Sequence, residues 1–211
     1  MKIRWLGHAS FLIESSKGIR IVTDPFDKSV GYPIPKVEAD VVLVSHAHFD
    51  HNATHLVRGR PRIIDKPGQS MVSDLLFTGI PSFHDDTQGS QRGKNIIFAF
   101  ELDGIRLCHL GDLGHMLNQA QLDSIGKVDI LFVPVGGAFT IDGDQATSVV
   151  AKLNPRLVVP MHFKTPLCSI PLEGVDKFLA GKERVRKAKS LEITREELPA
   201  KTEIVVLDYK E

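Results

Sequence analysis

The sequence predicts a layered domain of sheets covered by helices, of the α/β or α+β class. Three observations lead there. Short β-branched apolar runs bounded by Gly, Pro or Asp recur along the chain and read as strands. The first three lie close together as a meander, and the longer helical patterns fall between later runs. No stretch reads as a linker, a low-complexity segment or a repeat, so residues 1–211 read as a single domain.

Each element has a local reason. Lys2–Leu6, Phe11–Glu14 and Ile19–Thr23 form the meander, the last two joined by the turn Ser15-Ser16-Lys17-Gly18. Val41–Ser45 and Leu75–Ser82 come next. Asn95–Leu102 and Ile105–Leu110 flank Asp103-Gly104, a pair suited to a type I′ turn, and predict a hairpin. Ile130–Val135, Leu157–Pro160 and Glu203–Leu207 complete the strands. Asn52–Arg58 is a short helical pattern, and Met116–Ile125 carries apolar residues at helical spacing. Gln145–Leu153 follows a capping-type Asp142-Gly143-Asp144 and ends before Pro155. Leu172–Leu179 starts after Pro171 and stops before Gly181. Between Gly181 and Leu191, Lys182, Arg184, Arg186, Lys187 and Lys189 stand against Glu183. A solvated helix face or loop is the preferred reading over a binding patch.

Composition narrows the function classes. Lys+Arg 26 balances Asp+Glu 26, which argues against a general electrostatic grip on nucleic acid or anionic membrane. Cys108 and Cys168 are too few for a disulfide scaffold or a four-cysteine zinc fold, and free thiols fit a reducing cytoplasm. No run approaches the ~20 apolar residues of a membrane helix, and the start lacks an uninterrupted apolar core of a leader. The expectation is a soluble, cytoplasmic protein with a small-molecule substrate, no nucleic acid or membrane partner, and a homo-oligomer left open.

The informative feature is the set of residues at which the apolar runs end. They end in Asp24-Pro25, in His46-Ala47-His48-Phe49-Asp50-His51, in His84-Asp85-Asp86, in Asp112 and in His162. Layered α/β folds place ligand groups at the carboxyl ends of their strands, so five such ends build one polar site along one rim. Three histidines and an aspartate within six residues point to a metal. Imidazole with carboxylate suits zinc, iron or manganese, and the lack of cysteine partners disfavours a structural zinc site.

H-x-H-x-D-H after an apolar strand, with the downstream His, Gly-Asp and Pro-Met-His elements, resembles the metallo-β-lactamase fold superfamily. Within it the chain is similar to the small metal-dependent hydrolases of the ascorbate-phosphate lactonase branch. The segments that carry this are Gly7–Phe11, Thr23–Pro25, Ser45–His51, Ser82–Asp85, His109–His115, Pro134–Gly137 and Pro160–His162. The resemblance implies an α+β fold, a four-layer αββα sandwich with metals at the sheet edge. It puts His46, His48 and His84 on one divalent ion and Asp50, His51 and His162 on the other, with Asp112 bridging. Asp24 would orient a ligating histidine through its other ring nitrogen. Zinc is the first choice of metal, with manganese and iron also suited. The implied activity is hydrolysis of an ester, lactone, amide or phosphodiester by hydroxide generated at two metals, with Asp50 orienting it and shuttling its proton.

The remaining residues stay open or have plain readings. His8 either lines the pocket or packs in a loop; His115 either contacts substrate or caps a helix; His55 reads as solvated. Gly136-Gly137 reads as a tight turn before a site for a substrate anion, and Cys108 as a core residue. His84 and His109 compete for the first ion. An odd separation from Asp112 points His109 to the other side of an extended strand, so His84 is the expected ligand and His109 a packed or hydrogen-bonded neighbour. A redox di-iron protein is disfavoured by His48, where such proteins carry a carboxylate. An RNA nuclease is disfavoured by the balanced charge, and a non-catalytic metal-binding or regulatory protein by the complete ligand set.

Overall fold

Fourteen strands among the described residues, 1–209 of the chain in a computed structural model, form two sheets. In the first, β1 (Lys2–Gly7), β2 (Ser10–Glu14) and β3 (Arg20–Thr23) pair antiparallel, and β4 (Val41–Leu43) and β5 (Arg62–Ile64) add in parallel. In the second, β6 (Gly68–Val72), β7 (Leu75–Phe83), β8 (Lys94–Leu102) and β9 (Ile105–His109) pair antiparallel. From β9 onward the sheet is parallel through β10 (Ile130–Pro134), β11 (Leu157–Met161), β14 (Glu203–Leu207) and β12 (Val185–Ala188). The short β13 (Leu191–Glu192) returns to the first sheet beside β1.

The two sheets meet over an apolar layer, the reason their strands alternate or are wholly apolar. Ile3, Phe11 and Ile21 of the first sheet belong to one buried cluster with Phe98, Leu107 and Phe132 of the second. The Phe11 and Phe132 rings lie 4.6 Å apart. Every residue of β10 and β11 is buried, as a parallel strand covered on both faces requires. The helix α2 (Gly143–Leu153) covers this sheet with Gly143, Ala146, Val149 and Leu153. The outer face of the first sheet is closed by the chain around Val37 and Ala39 and by Val57, which follows the 3₁₀ turn Thr54–Leu56, packed on Leu12, Val22 and Val42.

The structure differs from the sequence expectations at several elements. Asn52–Arg58 is only the 3₁₀ turn Thr54–Leu56, because Ala53 supplies no capping side chain. In place of a helix over Met116–Ile125, α1 (Gln119–Ile125) begins where Asn118 and Gln121 form a capping box. Leu172–Leu179 shrinks to α3 (Asp176–Leu179), because the Glu173 N–H is drawn to the Gly136 carbonyl and no side chain caps Val175. The basic segment 181–191 holds neither a helix nor only a loop. It contains β12, an edge strand whose Arg186 pairs with Glu203 at 2.6 Å. Charged side chains on an edge strand discourage edge-to-edge association. No helix among the described residues is long and apolar enough to cross a membrane.

Candidate metal centre

Residues following β3, β4, β7, β9 and β11, all at the same end of their strands, build one buried cluster. Its centre is Asp112, 1% exposed. Asp112 Oδ2 lies 3.1 Å from His84 Nε2, 3.2 Å from His51 Nε2, 3.2 Å from His162 Nε2 and 3.9 Å from His46 Nε2. The structure thus brings all seven sequence-predicted residues together. His46, His48 and His84 gather as one donor set, and Asp50, His51 and His162 as another, with His8 added to the second. His46, His51 and Asp112 form a third set. His48 is the exposed member.

Neighbouring polar groups fix these side chains. Asp24 accepts from the Ser45 N–H at 2.7 Å and the Ser45 hydroxyl at 2.8 Å, and its Oδ2 lies 3.1 Å from His51 Nδ1. Ser45 Oγ in turn sits 3.0 Å from His46 Nδ1. His84 Nδ1 donates to the Phe139 carbonyl at 3.0 Å, which holds the ring with Nε2 toward Asp112. The Asp112 N–H is held by Asn95 Oδ1 at 2.9 Å. His8, Asp24 and His162 have φ of 53°, 38° and 51°. Non-glycine residues in this left-handed region carry strain of order ~1–3 kcal/mol, a pattern frequent at functional sites.

Close approach demands glycine at two neighbouring positions. A Cβ on Gly114 would overlap the backbone of His84 and Asp85, and one on Gly136 would overlap the His162 carbonyl. Gly136 therefore serves backbone contact beneath a site residue. Gly114→Ala is expected to lower stability by about 1–3 kcal/mol, the usual cost of overpacking, and to loosen His84. A melting temperature and metal affinity equal to those of the unaltered protein would refute the contact.

Burial and charge set the electrostatics. Burial, then the His51 charge, push the His46 imidazole down to about 3. Burial, then His162, push His8 down to about 4. Burial opposes protonation of His51 and His84 too, but Asp112 outweighs it in both and raises them, with Asp24 assisting at His51. Burial would raise Asp112, yet the facing His162 and His51 hold it well below the carboxylate range. At Asp50 burial is likewise overruled, by the hydrogen bond from His8 and the charge of His51.

The donor set fits divalent metal. His46 Nε2 and Asp112 Oδ1 are buried without a hydrogen-bond partner. Such atoms cost about 1–3 kcal/mol each when left unsatisfied. Cations between them would satisfy both, and nitrogen with carboxylate oxygen is the chemistry that borderline divalent ions prefer.

The other candidates are also placed. His8 is fully buried, with Nε2 3.1 Å from Asp50 Oδ2, so it belongs to the site rather than to plain loop packing. Its carbonyl accepts from Trp5 Nε1 and from the His162 N–H. His109 lies beneath, Nε2 to the Ala9 carbonyl at 3.0 Å and Nδ1 accepting from the Gly111 N–H. His115 accepts from the Phe83 N–H and bonds the Met116 carbonyl, and so ties the turn after Asp112 to the end of β7. His55 is exposed, and Cys108 is buried in the core. Sequence reasoning missed Asn95, Ser45 and the Phe139 carbonyl. The first two lie beside or within a strand with no pattern of their own, and a carbonyl carries no residue signal.

Comparison with known proteins agrees with this chemistry. The family model for the Beta-lactamase superfamily domain matches residues 2–162. A UPF0173 metal-dependent hydrolase of Thermococcus onnurineus is 31% identical, covering 92% of this chain and 98% of that protein. A Thermotoga maritima structure assigned to the Zn-dependent hydrolases of the metallo-β-lactamase superfamily superposes with a TM-score of 0.84 at 45% identity, over 98% of this chain and 97% of that one. Igni18, a metallo hydrolase of Ignicoccus hospitalis, shares the fold at a TM-score of 0.62 and 23% identity, over 81% and 86% of the two chains. With its two facing sheets and a His/Asp cluster on one rim, the chain belongs to the metallo-β-lactamase superfamily, among the UPF0173 metal-dependent hydrolases.

Proposed function

We propose that the chain holds two divalent ions, zinc foremost, and hydrolyses an ester, lactone or phosphodiester bond of a small molecule. The observation that supports this most is a single Asp112 oxygen at the meeting point of four imidazoles drawn from two donor sets. His46, His48 and His84 would hold one ion, Asp50, His51 and His162 the other, and Asp112 would stand between the two sets. When bound, such ions acidify water toward pKa ~7 and polarise the scissile group.

The chain's own groups orient the rest. His8 donates to Asp50 Oδ2 and leaves Oδ1 to orient the attacking water and take its proton. A carboxyl with a lowered pKa is ionised throughout the neutral range, so Asp50 stands ready to accept from that water. Asp24 fixes His51 and, through Ser45, His46. Balanced charge favours a small molecule over nucleic acid as the substrate.

Elemental analysis of the purified protein, chelation, and a panel of ester, lactone and phosphodiester substrates test this reading. The expected result is up to two ions per chain and hydrolysis lost on stripping and restored on reloading. A fully loaded, folded protein that never exceeds one ion would exclude the two-ion arrangement. His8→Ala is expected to weaken binding of the second ion about 10–100-fold, the usual cost of losing a group that orients a ligand. Competition against a chromophoric chelator measures it, and unchanged affinity for both ions would remove His8 from the site.

A further inference from the structure

A cavity of about 690 Å³ adjoins the first donor set, with His46 and His48 in its wall. This lies within the roughly 300–1,000 Å³ range of small-molecule pockets. A larger cavity, about 930 Å³, sits by the β8–β9 hairpin at the other end of the strands, among Ser15, Glu101 and Asp103, away from every site residue. Position relative to the donors, not size, therefore singles out the former.

Its wall has two characters. Val44, Pro81, Phe83 and Ile96 make one side apolar. Arg92 and Lys94 supply two positive charges against the single carboxylate of Asp65. Among the described residues neither cation has an ion-pair partner. Two such cations in a mostly apolar pocket beside the donors are complementary to an anion on an apolar body.

Arg92 is also held in place. The Asp85 carboxylate, 2% exposed, accepts from the N–H groups of Thr87, Gly89, Gln91 and Arg92 at 2.7–3.0 Å and so fixes the whole 85–92 loop. One Arg92 amino group donates to the Ala138 carbonyl at 3.2 Å, and the guanidinium lies 5.5 Å from the Phe139 ring centroid. Phe139 is the residue whose carbonyl orients His84. The loop that carries Arg92 is thereby tied to the metal donors, and the remaining N–H groups of its planar fork are pre-organised for a carboxylate or phosphate.

We propose that this cavity is the substrate pocket and that Arg92 and Lys94 select substrates carrying an anionic group, carboxylate or phosphate, on an apolar body outside the scissile bond. The proposal rests on the hydrolytic reading above and names its substrate class.

The test uses metal-loaded protein and two pairs of probes. Calorimetry compares phenylbutyrate with the uncharged phenylbutyramide; the expected result is binding about tenfold or more tighter for the anion, as one charge-assisted contact supplies. Lys94→Glu, and Arg92→Ala with Lys94→Ala, are expected to bring that ratio close to one at unchanged metal content. Among the described residues the Lys94 side chain makes no hydrogen bond or ion pair with the 85–92 loop, so Lys94→Glu remains informative if the Arg92 variant loosens the fold. A ratio near one in the unaltered protein overturns the proposal, as does a full ratio kept in both variants, which would place the anion on the metals. The second pair, 4-nitrophenyl hemisuccinate and 4-nitrophenyl butyrate, separates the two readings. Equal kcat/KM for both esters sinks the pocket assignment and leaves a hydrolase. An anion preference in binding with no ester, lactone or phosphodiester cleaved sinks the hydrolytic reading and leaves the pocket.

Discussion

Asp112→Asn is expected to abolish loading of both ions together and to lower turnover by about a thousandfold or more. Asp112 Oδ2 faces imidazoles from both donor sets, so its loss is not confined to either one. An amide keeps the shape but removes the charge that two cations would share, and it replaces one acceptor oxygen by an N–H₂ donor. Loss of a few kcal/mol of metal-derived transition-state stabilisation corresponds to this factor, at about 1.36 kcal/mol per tenfold. Metal content by elemental analysis, kcat/KM on the best panel substrate and a melting curve measure it together. A folded Asp112→Asn protein that still carries two ions would end the bridging assignment.

Asp50→Asn separates ligation from proton handling. The amide oxygen left by this substitution can still accept from His8 Nε2, so the geometry of the turn after His48 survives while the negative charge is lost. Turnover is expected to fall by about 10²–10⁴, the usual contribution of a positioned acid–base group, when it is measured at metal concentrations high enough to keep both sites filled. The fall should appear in kcat more than in KM, since the lost interaction belongs to the reacting proton. Comparable kcat at normal loading would remove the proton relay and leave Asp50 as a ligand only.

The contrast between these two carboxylates shows which information was local. Both were legible as site residues, because each comes after an apolar run at a strand's carboxyl end and the H-x-H-x-D-H spacing is short. The β8–β9 hairpin was legible for the same kind of reason: Asp103 and Gly104 have φ of 52° and 72°, the left-handed values an Asp-Gly turn provides. The edge strands β5 and β6 left no such trace. Of their residues only Ile64 is buried, so the apolar alternation that announces a strand is missing. At 181–191 the charges mark the solvent side of an edge strand, a pattern that charge counting alone assigns to a helix face or loop.

The sequence by itself determined the donor chemistry, the central strands and the rim on which the donors stand. These depend on residue type, on periodicity and on the short distance between a strand and the loop after it. Only the tertiary structure decided that His8 pairs with Asp50 across 42 positions, that Phe139 turns its carbonyl to His84 across 55, and that Arg92 is clamped to Ala138 across 46. Each of these contacts joins loops carried by different strands. Their distance is set by how the two sheets pack and where glycines let backbones touch, and no local pattern encodes it.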